Sequence, residues 1–529
     1  MRKDTIMEQE RRRYPIGIQT FEKIRKEGFV YVDKTAVIYD LVSVNSIYFL
    51  SRPRRFGKSL LVSTLDAYFS GRKELFEGLA IAGLEKDWVE YPVLHFDFSG
   101  TKYFSLEDLE GQFRIQLTEW ERLYGSDPLE KTPAERMQGI IRRAYAITGR
   151  QVVFLVDEYD APLLDSADNP QLQARLRNML RSFYSVIKKN DPYLRFVFIT
   201  GVTKYSQMSI FSELNSLQNI SMKDCFSAIC GITADELASQ LHHDVEVLAR
   251  ENGETYEEAA MHLKHLYDGY HFSPHSEDIY NPFSLLNAFN DRRYERYWFS
   301  TGTPSFLIDL LDRSELDVES LESGIRAAAE DFDVPIEQIK DPLPFMYQSG
   351  YLTIKDYDPE YMEYTLAYPN EEVRLGFIGS LLPNYTGSSG ISSNSLVVGL
   401  VKALRRNDIQ DCMERLTAYF ASIPYTLNNK EEKHYHTIFY LLFSMMGQYV
   451  ESEVRSAVGR ADAVIKTESH IYVFEFKLDG SADEALEQID RKGYLVPYAA
   501  DGRKLVKIGV NFDSSTRTVG NWRAEKYNP

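Results

Sequence analysis

Ser46-Ile-Tyr-Phe-Leu-Ser-Arg-Pro-Arg-Arg-Phe-Gly-Lys-Ser59 sets an apolar run, a loop and a helix start in one unbroken stretch. Ser46–Leu50 reads as a strand buried on both faces, Ser51–Gly57 as a loop, and Lys58-Ser59 as the opening of a helix that continues from Leu60 to Phe69. A loop that grips phosphates needs backbone N–H groups turned inward, a lysine for the outer phosphates and a hydroxyl for a magnesium ion. Gly57, Lys58 and Ser59 offer these in the right local setting, and Arg54 and Arg55 add candidate phosphate or subunit contacts. The first glycine of the common G-x-x-x-x-G-K-[ST] pattern is replaced by Arg52, which lacks glycine's freedom at positive φ. Taken alone, the stretch is also compatible with a chance Gly-Lys-Ser.

A second element shifts that balance. Val152-Val-Phe-Leu-Val156 reads as a buried strand that ends in Asp157-Glu158. At the carboxyl end of a strand Asp157 can hold the shell of a magnesium ion, and Glu158 can polarise a water for attack on a terminal phosphate. A third strand, Phe196–Thr200, ends in a hydroxyl suited to sensing that phosphate, although threonine also simply favours strands.

The chain has 529 residues, a hydrophobic fraction of 44% and a charged fraction of 26%, an ordinary composition for about two to four soluble domains. No run reaches the roughly 18 apolar residues of a membrane helix, and Met1–Arg13 is charged throughout, unlike a secretory signal. The three cysteines, Cys225, Cys230 and Cys412, lack disulfide or zinc spacing and fit a reducing cytoplasm. A net charge of −18 argues against non-specific coating of nucleic acid, so any such contact must be local.

Short apolar runs alternating with amphipathic stretches over residues 14–232 point to a parallel sheet with crossover helices. Residues 233–385 read as a helical lid followed by two strands, Pro344–Ile354 and Tyr361–Ala367, the pattern of a winged helix or of an ordinary hairpin packed on a lid. The small polar residues of Thr386–Ser395 mark a linker, with connecting helices to residue 424, and a compact α/β pattern fills residues 425–529.

In that last segment Ile471-Tyr-Val-Phe-Glu-Phe-Lys477 reads as a strand with Ile471, Val473, Glu475 and Lys477 on one face, and Tyr472, Phe474 and Phe476 on the other. A preceding strand, Ala461–Lys466, paired antiparallel across the turn Thr467–His470, sets Asp462 opposite Glu475. Two carboxylates can then hold a cation that activates water on a phosphodiester, with Lys477 positioning or deprotonating that water. Glu432, at the head of an apolar helix, and Glu453 are further ligand candidates, and Gln488 on the following helix can brace the site. A buried Glu–Lys pair can equally serve fold specificity alone.

Tyr14-Pro-Ile-Gly-Ile-Gln-Thr-Phe21, Tyr31-Val-Asp-Lys-Thr35, Arg52–Ser59, Asp157-Glu-Tyr-Asp-Ala-Pro162, Thr200-Gly-Val-Thr-Lys204, Tyr267-Asp-Gly-Tyr270 and Tyr280-Asn-Pro-Phe283 resemble the AAA-ATPase-like family of bacterial proteins. That resemblance implies ATP binding, and an Arg-Arg-x-Gly-Lys loop is usual there. Glu432, Gly459-Arg-Ala-Asp462, Glu475-Phe-Lys477, Ala485–Ile489 and Tyr494 resemble the PD-(D/E)XK nuclease superfamily. That second resemblance implies Asp462, Glu475 and Lys477 as catalytic residues, Glu432 as a helper, and Gln488 with Tyr494 as site support. The expected architecture is therefore α/β and multidomain: a P-loop NTPase, a helical and winged-helix-like middle, and a restriction-endonuclease-like end. The expected function is a cytoplasmic, Mg²⁺-dependent ATPase coupled to a Mg²⁺- or Mn²⁺-dependent nuclease that acts on DNA before RNA, with no membrane partner and with homo-oligomers plausible. The rival expectations are an ATP-driven switch or nucleic-acid-binding module with an inactive nuclease fold, and an interaction scaffold that binds ATP structurally.

Overall fold

The computed structural model describes residues 12–527 apart from 45, 204–210, 212–213, 215, 302–306, 309, 312–313, 315, 317, 335–340, 388–389, 425–431 and 455–460. The chain divides into two compact units. One comprises residues 1–300, 304–315 and 324–372, and the other 301–303, 316–323 and 373–529. Among the described residues no helix is long and apolar enough to cross a membrane.

The first unit is built on five parallel strands, β1 (Ile47–Ser51), β2 (Val93–Asp97), β3 (Val152–Asp157), β4 (Leu194–Gly201) and β5 (Gln218–Asn219), in the order β2-β3-β4-β1-β5. Every residue of β3 is buried, which is why the sequence shows an unbroken apolar run rather than alternation. On one face Ile47, Phe96, Phe154 and Val197 meet helices α2 (Leu106–Tyr124), α3 (Pro133–Thr148) and α4 (Pro170–Lys189). On the other, Phe196 packs on Phe69 of α1 (Lys58–Phe69), ring centres 4.9 Å apart. Because β4 is inserted between β1 and β3, the phosphate-loop candidate and the Asp157-Glu158 pair flank the end of one intervening strand.

A small antiparallel pair, β6 (Ile232–Thr233) with β7 (Ile279–Tyr280), leads into four helices, α5 (Ala234–Gln240), α6 (His242–Asn252), α7 (Tyr256–Tyr267) and α8 (Pro282–Asp291), which share a core of their own. Strands β8 (Ile325–Ala328), β9 (Thr353–Asp358) and β10 (Glu363–Ala367) form an antiparallel sheet ordered β8-β10-β9. Here the sequence expectation needs correcting, since most of Pro344–Ile354 is not strand. Helix α9 (Pro342–Ser349) occupies it, capped by the Asp341 carboxylate, which accepts from Leu343 N–H, and ended by Gly350 at φ 88°. A short apolar run does not by itself distinguish helix from strand; the Asp-Pro start and Gly stop are the signals that do.

The second unit opens with α10 (Glu371–Thr386), α11 (Gly390–Arg405), α12 (Ile409–Ser422) and α13 (Glu432–Met446). The expected linker at Thr386–Ser395 is therefore largely the end of one helix and the start of the next. Burial pulls these small residues into helices: Thr386 and Ser393 are 2% and 1% exposed, and the Thr386 hydroxyl donates to the Leu382 carbonyl. A mixed sheet follows, ordered β11 (Glu451–Val454), β12 (Ala463–Lys466), β13 (His470–Leu478), β14 (Lys504–Asp513), β15 (Thr518–Tyr527), with β13 and β14 parallel and joined through α14 (Ala482–Lys492). Phe474 and Phe476 pack on Phe443 and Phe439 of α13, whereas Ile471 and Val473 face Leu486 and Ile489 of α14. The two faces of β13 are thus those that strict alternation assigns.

Candidate functional site

The loop after β1 is braced by the residue that breaks its motif. Arg52 is 1% exposed, and its guanidinium donates to the carbonyls of Ser51, Ser221, Phe226 and Ser227 and lies 4.2 Å from the centre of the Phe272 ring. Gly57 caps α1 at φ 90°, a left-handed conformation that disfavours a side chain, and the space a Cβ would enter is open. A helix start leaves four N–H groups without helical partners, a setting that favours anions. Lys58 sits in the first turn with Nζ donating to the carbonyls of Arg52 and Pro53 at 2.9 and 3.0 Å. Burial pushes its pKa down, while Glu158, Asp157 and Asp160 oppose that shift.

The ends of four strands meet at this loop. Leu50 and Ser51 pair with Thr200 and Gly201, and Asp97 pairs with Asp157. The Thr200 hydroxyl donates to Asp157 Oδ1 at 2.5 Å, and the Glu158 N–H reaches the same oxygen at 3.1 Å. Thr200 thus orients the aspartate directly. Glu158 stands at φ 52°, a sparsely populated conformation for a glutamate and one that recurs at functional positions. Burial raises its pKa; the charge of Lys58 opposes that, and the carboxylates of Asp157, Asp160 and Asp97 reinforce it.

Asp160, which the sequence reading passes over as a site residue, proves to be the anchor of this corner. It is fully buried, accepting from the N–H groups of Val202 and Thr203 and from the Thr203 hydroxyl, with two of these bonds at 2.6 Å. A side chain at Gly201 would collide with Tyr159 and Asp160 at 2.5 and 2.8 Å, so only glycine lets the two segments close. The detectable signal was the Asp-Glu-Tyr-Asp spacing itself. The two loop arginines differ in their surroundings. Arg54 is exposed, but Arg55, at φ 67°, donates to the carbonyls of Tyr297 and Trp298 and covers the Phe283 ring at 4.1 Å. Glu372, absent from the sequence reading, accepts the Trp298 N–H at 2.8 Å from a position 1% exposed, and burial raises its pKa to about 7.

In the second unit the register continues from Ala463–Phe474 toward Asp462 and Glu475, and Asp462 Oδ2 accepts the Phe476 N–H at 2.8 Å. Glu475 is 2% exposed. Its Oε1 accepts from Lys477 Nζ at 3.1 Å and from the Gln488 amide, its Oε2 has no close hydrogen bond among the described residues, and the Asp462 backbone N–H helps to hold the carboxylate charged. Lys477 also donates to Gln488 Oε1 at 2.9 Å, and Gln488 bonds the Tyr494 hydroxyl. Gln488 arrives because α14 sinks onto the sheet at Gly509, the β14 partner of Glu475, where a Cβ would lie 2.2 Å from the Ala482 carbonyl. Burial first, then the charge of Asp462, raises the Glu475 pKa to about 7, against the pull of Lys477.

Three comparisons bear on these two clusters. A family model described as "Predicted AAA-ATPase" matches residues 15–211, and one described as "PD-(D/E)XK nuclease superfamily" matches residues 430–522. An "Uncharacterized protein in vnfD 5'region" of Azotobacter chroococcum mcd 1 is 37% identical over 525 residues, 96% of this chain and 98% of that protein. The chain belongs to the AAA-ATPase-like proteins that carry a C-terminal PD-(D/E)XK nuclease-superfamily domain.

In this AAA-ATPase-like protein Gly57, Lys58, Asp157, Glu158 and Thr200 line the ends of neighbouring strands and the loop between them, with Ser59 half-buried in the first turn of α1. Asp462, Glu475, Lys477, Gln488 and Tyr494 form one cluster in the nuclease-superfamily domain. The side chains of Glu432 and Glu453 lie outside the described residues. Among the described residues no three His, Cys, Asp or Glu side chains are grouped to hold a metal alone. The buried Glu475 carboxylate, beside the second carboxylate of Asp462, has the chemistry of a cation site.

Proposed function

We propose that this protein is a cytoplasmic, Mg²⁺-dependent ATPase whose nucleotide state controls a metal-dependent nuclease acting on DNA in preference to RNA. The observation that carries the nuclease half is the buried Glu475 carboxylate, bonded to Lys477 and Gln488 and set beside a second carboxylate, Asp462, whose charge raises its pKa. Two acids held so close repel unless a cation neutralises them. A divalent cation held by Asp462 and Glu475 would supply charge neutralisation at the phosphate and a more acidic water. Lys477, held by Gln488, orients that water and takes or relays its proton.

In the ATPase half, the α1 N-terminus and Lys58 bind the phosphates, Asp157 and Ser59 hold the magnesium shell, and Glu158 polarises the attacking water. The elevated Glu158 pKa supports this role, because a general base works best with a pKa near the operating pH. Arg54, exposed on the loop, is the contact we assign to phosphate or a neighbouring copy, and homo-oligomerisation belongs to the same reading. The cytoplasmic setting rests on three free cysteines. DNA is placed ahead of RNA on the nuclease-superfamily resemblance alone.

The test is cleavage of linear, circular and single-stranded DNA, with RNA alongside, in Mg²⁺ or Mn²⁺ and with or without ATP. The expected result is cutting that Lys477→Ala abolishes and that ATP modulates. Well-folded protein that binds DNA but cuts nothing would support the switch or binding-module reading instead.

A further inference from the structure

Tyr297 and Trp298 are gripped from two sides, by the phosphate loop and by the start of α10. Their carbonyls accept from Arg55 at 3.1 and 3.4 Å, and their N–H groups donate to the Glu372 carboxylate, that of Trp298 at 2.8 Å. A cation from the loop and a buried anion from the helix therefore share two residues of backbone. The charge of Arg55 also reaches Glu372 and favours its ionised form. All four residues belong to the first unit, and the chain leaves that unit close by: residue 301 belongs to the second, as does every residue from Val373 on, which includes the rest of α10.

We propose that Arg55 is a nucleotide-driven switch: when a triphosphate binds, the guanidinium leaves the Tyr297 and Trp298 carbonyls for a phosphate oxygen, and Glu372 passes that release into α10 and so to the nuclease-superfamily domain. The proposal rests on the reading of the loop as a triphosphate site whose state controls the nuclease, and it names the residues that carry the control. Pairing an ionised donor with an ionised acceptor gives the strongest hydrogen bonds, whereas a carbonyl offers only a dipole. Ligand and carbonyls thus compete for one cation, and the ligand favours the released arrangement by the difference, as a population shift requires. Arg55 stands two residues before Gly57, and its long side chain can exchange partners without refolding the loop. Once it has left, Glu372 holds the Tyr297 and Trp298 amides without that cation, and the first turn of α10 is held less tightly.

The experiment is hydrogen–deuterium exchange, read by mass spectrometry on the full chain with and without Mg²⁺ and a saturating non-hydrolysable ATP analogue, whose affinity is measured by calorimetry. In wild type the analogue is expected to speed exchange over residues 371–386 by about threefold or more. Arg55→Met keeps an apolar stem over Phe283 and loses the donors; its exchange there is expected to be fast without nucleotide and unchanged by it. Glu372→Ala is expected to bind the analogue within about threefold of wild type and likewise to show no nucleotide response in this segment. A residue that only fills space would speed exchange equally in both states and leave the response intact. That result in either variant overturns the proposal, as does a wild type that binds the analogue with no change over residues 371–386. Should Glu372→Ala not fold, Glu372→Gln keeps the side chain's volume and removes its charge, with the same expectation. If Lys58→Ala binds the analogue as tightly as wild type, the triphosphate reading itself fails, an outcome distinct from failure of the switch.

Discussion

The two sites treat buried charge in opposite ways. At the ATPase corner the buried anchors have partners within the chain: Thr200 holds Asp157, Thr203 and two amides hold Asp160, and four carbonyls hold Arg52. At the nuclease cluster two carboxylates repel, and one of them is buried with its pKa raised to about 7. The first is a finished scaffold onto which a ligand is laid. The second is completed by what it binds. The comparison teaches that a site's stability and its function need not oppose each other in one half of a chain while they do in the other.

The sharpest way to break this contrast is to remove the anchor of the finished site. Asp160→Ala leaves the Val202 and Thr203 N–H groups buried without partners and is expected to destabilise the first unit by about 3–5 kcal/mol, seen as a lowered unfolding transition in calorimetry. A shift comparable to that of an exposed acid would refute the anchoring role.

Glu475→Gln should do the reverse to the second unit. The Glu475 pKa rises from an ordinary 4.5 to about 7, so between those values the native state holds more protons than the unfolded chain. Wild-type stability therefore falls as pH rises through that window. In chelator at pH 8, Glu475→Gln is expected to be more stable than wild type by about 3 kcal/mol, and at pH 4 the difference should vanish. The same ionisation makes metal binding proton-linked, so Mn²⁺ affinity of wild type should rise about tenfold from pH 6 to pH 8. A flat pH profile would remove the reading of an incomplete site.

Smaller effects sharpen the picture. Arg52→Met strands four carbonyls and forfeits the contact with Phe272, which predicts a loss of about 2 kcal/mol and weaker nucleotide binding. Gln488→Ala is expected to cost about 1 kcal/mol or less in stability yet to lower cleavage roughly 10–100-fold, because Lys477 loses the partner that orients it. Equal loss of both properties would mean that Gln488 merely fills space.

Much of this was legible in the sequence because it follows from periodicity and order. The strand faces of Ile471–Lys477, the pairing of Asp462 toward Glu475, and the buried run ending at Asp157 all come from a period of two and a turn of known length. What was not legible depends on tertiary context. Nothing local distinguishes a helix at Pro342–Ser349 from a strand until its Asp cap and Gly stop are weighed against an apolar run. Ser393 looks like part of a linker until a neighbouring surface buries it. Arg55 reads as a phosphate or subunit contact, and nothing local foretells that its Nη1 donates to carbonyls more than two hundred residues away. Glu372 carries no motif at all, and only burial reveals it.

Arg52 has a thermodynamic consequence of its own. A glycine at the head of a phosphate loop leaves a flexible segment that must be frozen when ligand arrives, and ordering one residue costs about 1–2 kcal/mol. Here the guanidinium fastens the loop to residues 221–227 as the chain folds, so that entropy is lost before any nucleotide is present. The substitution that makes the motif look damaged is thus what lets the loop meet its ligand already shaped.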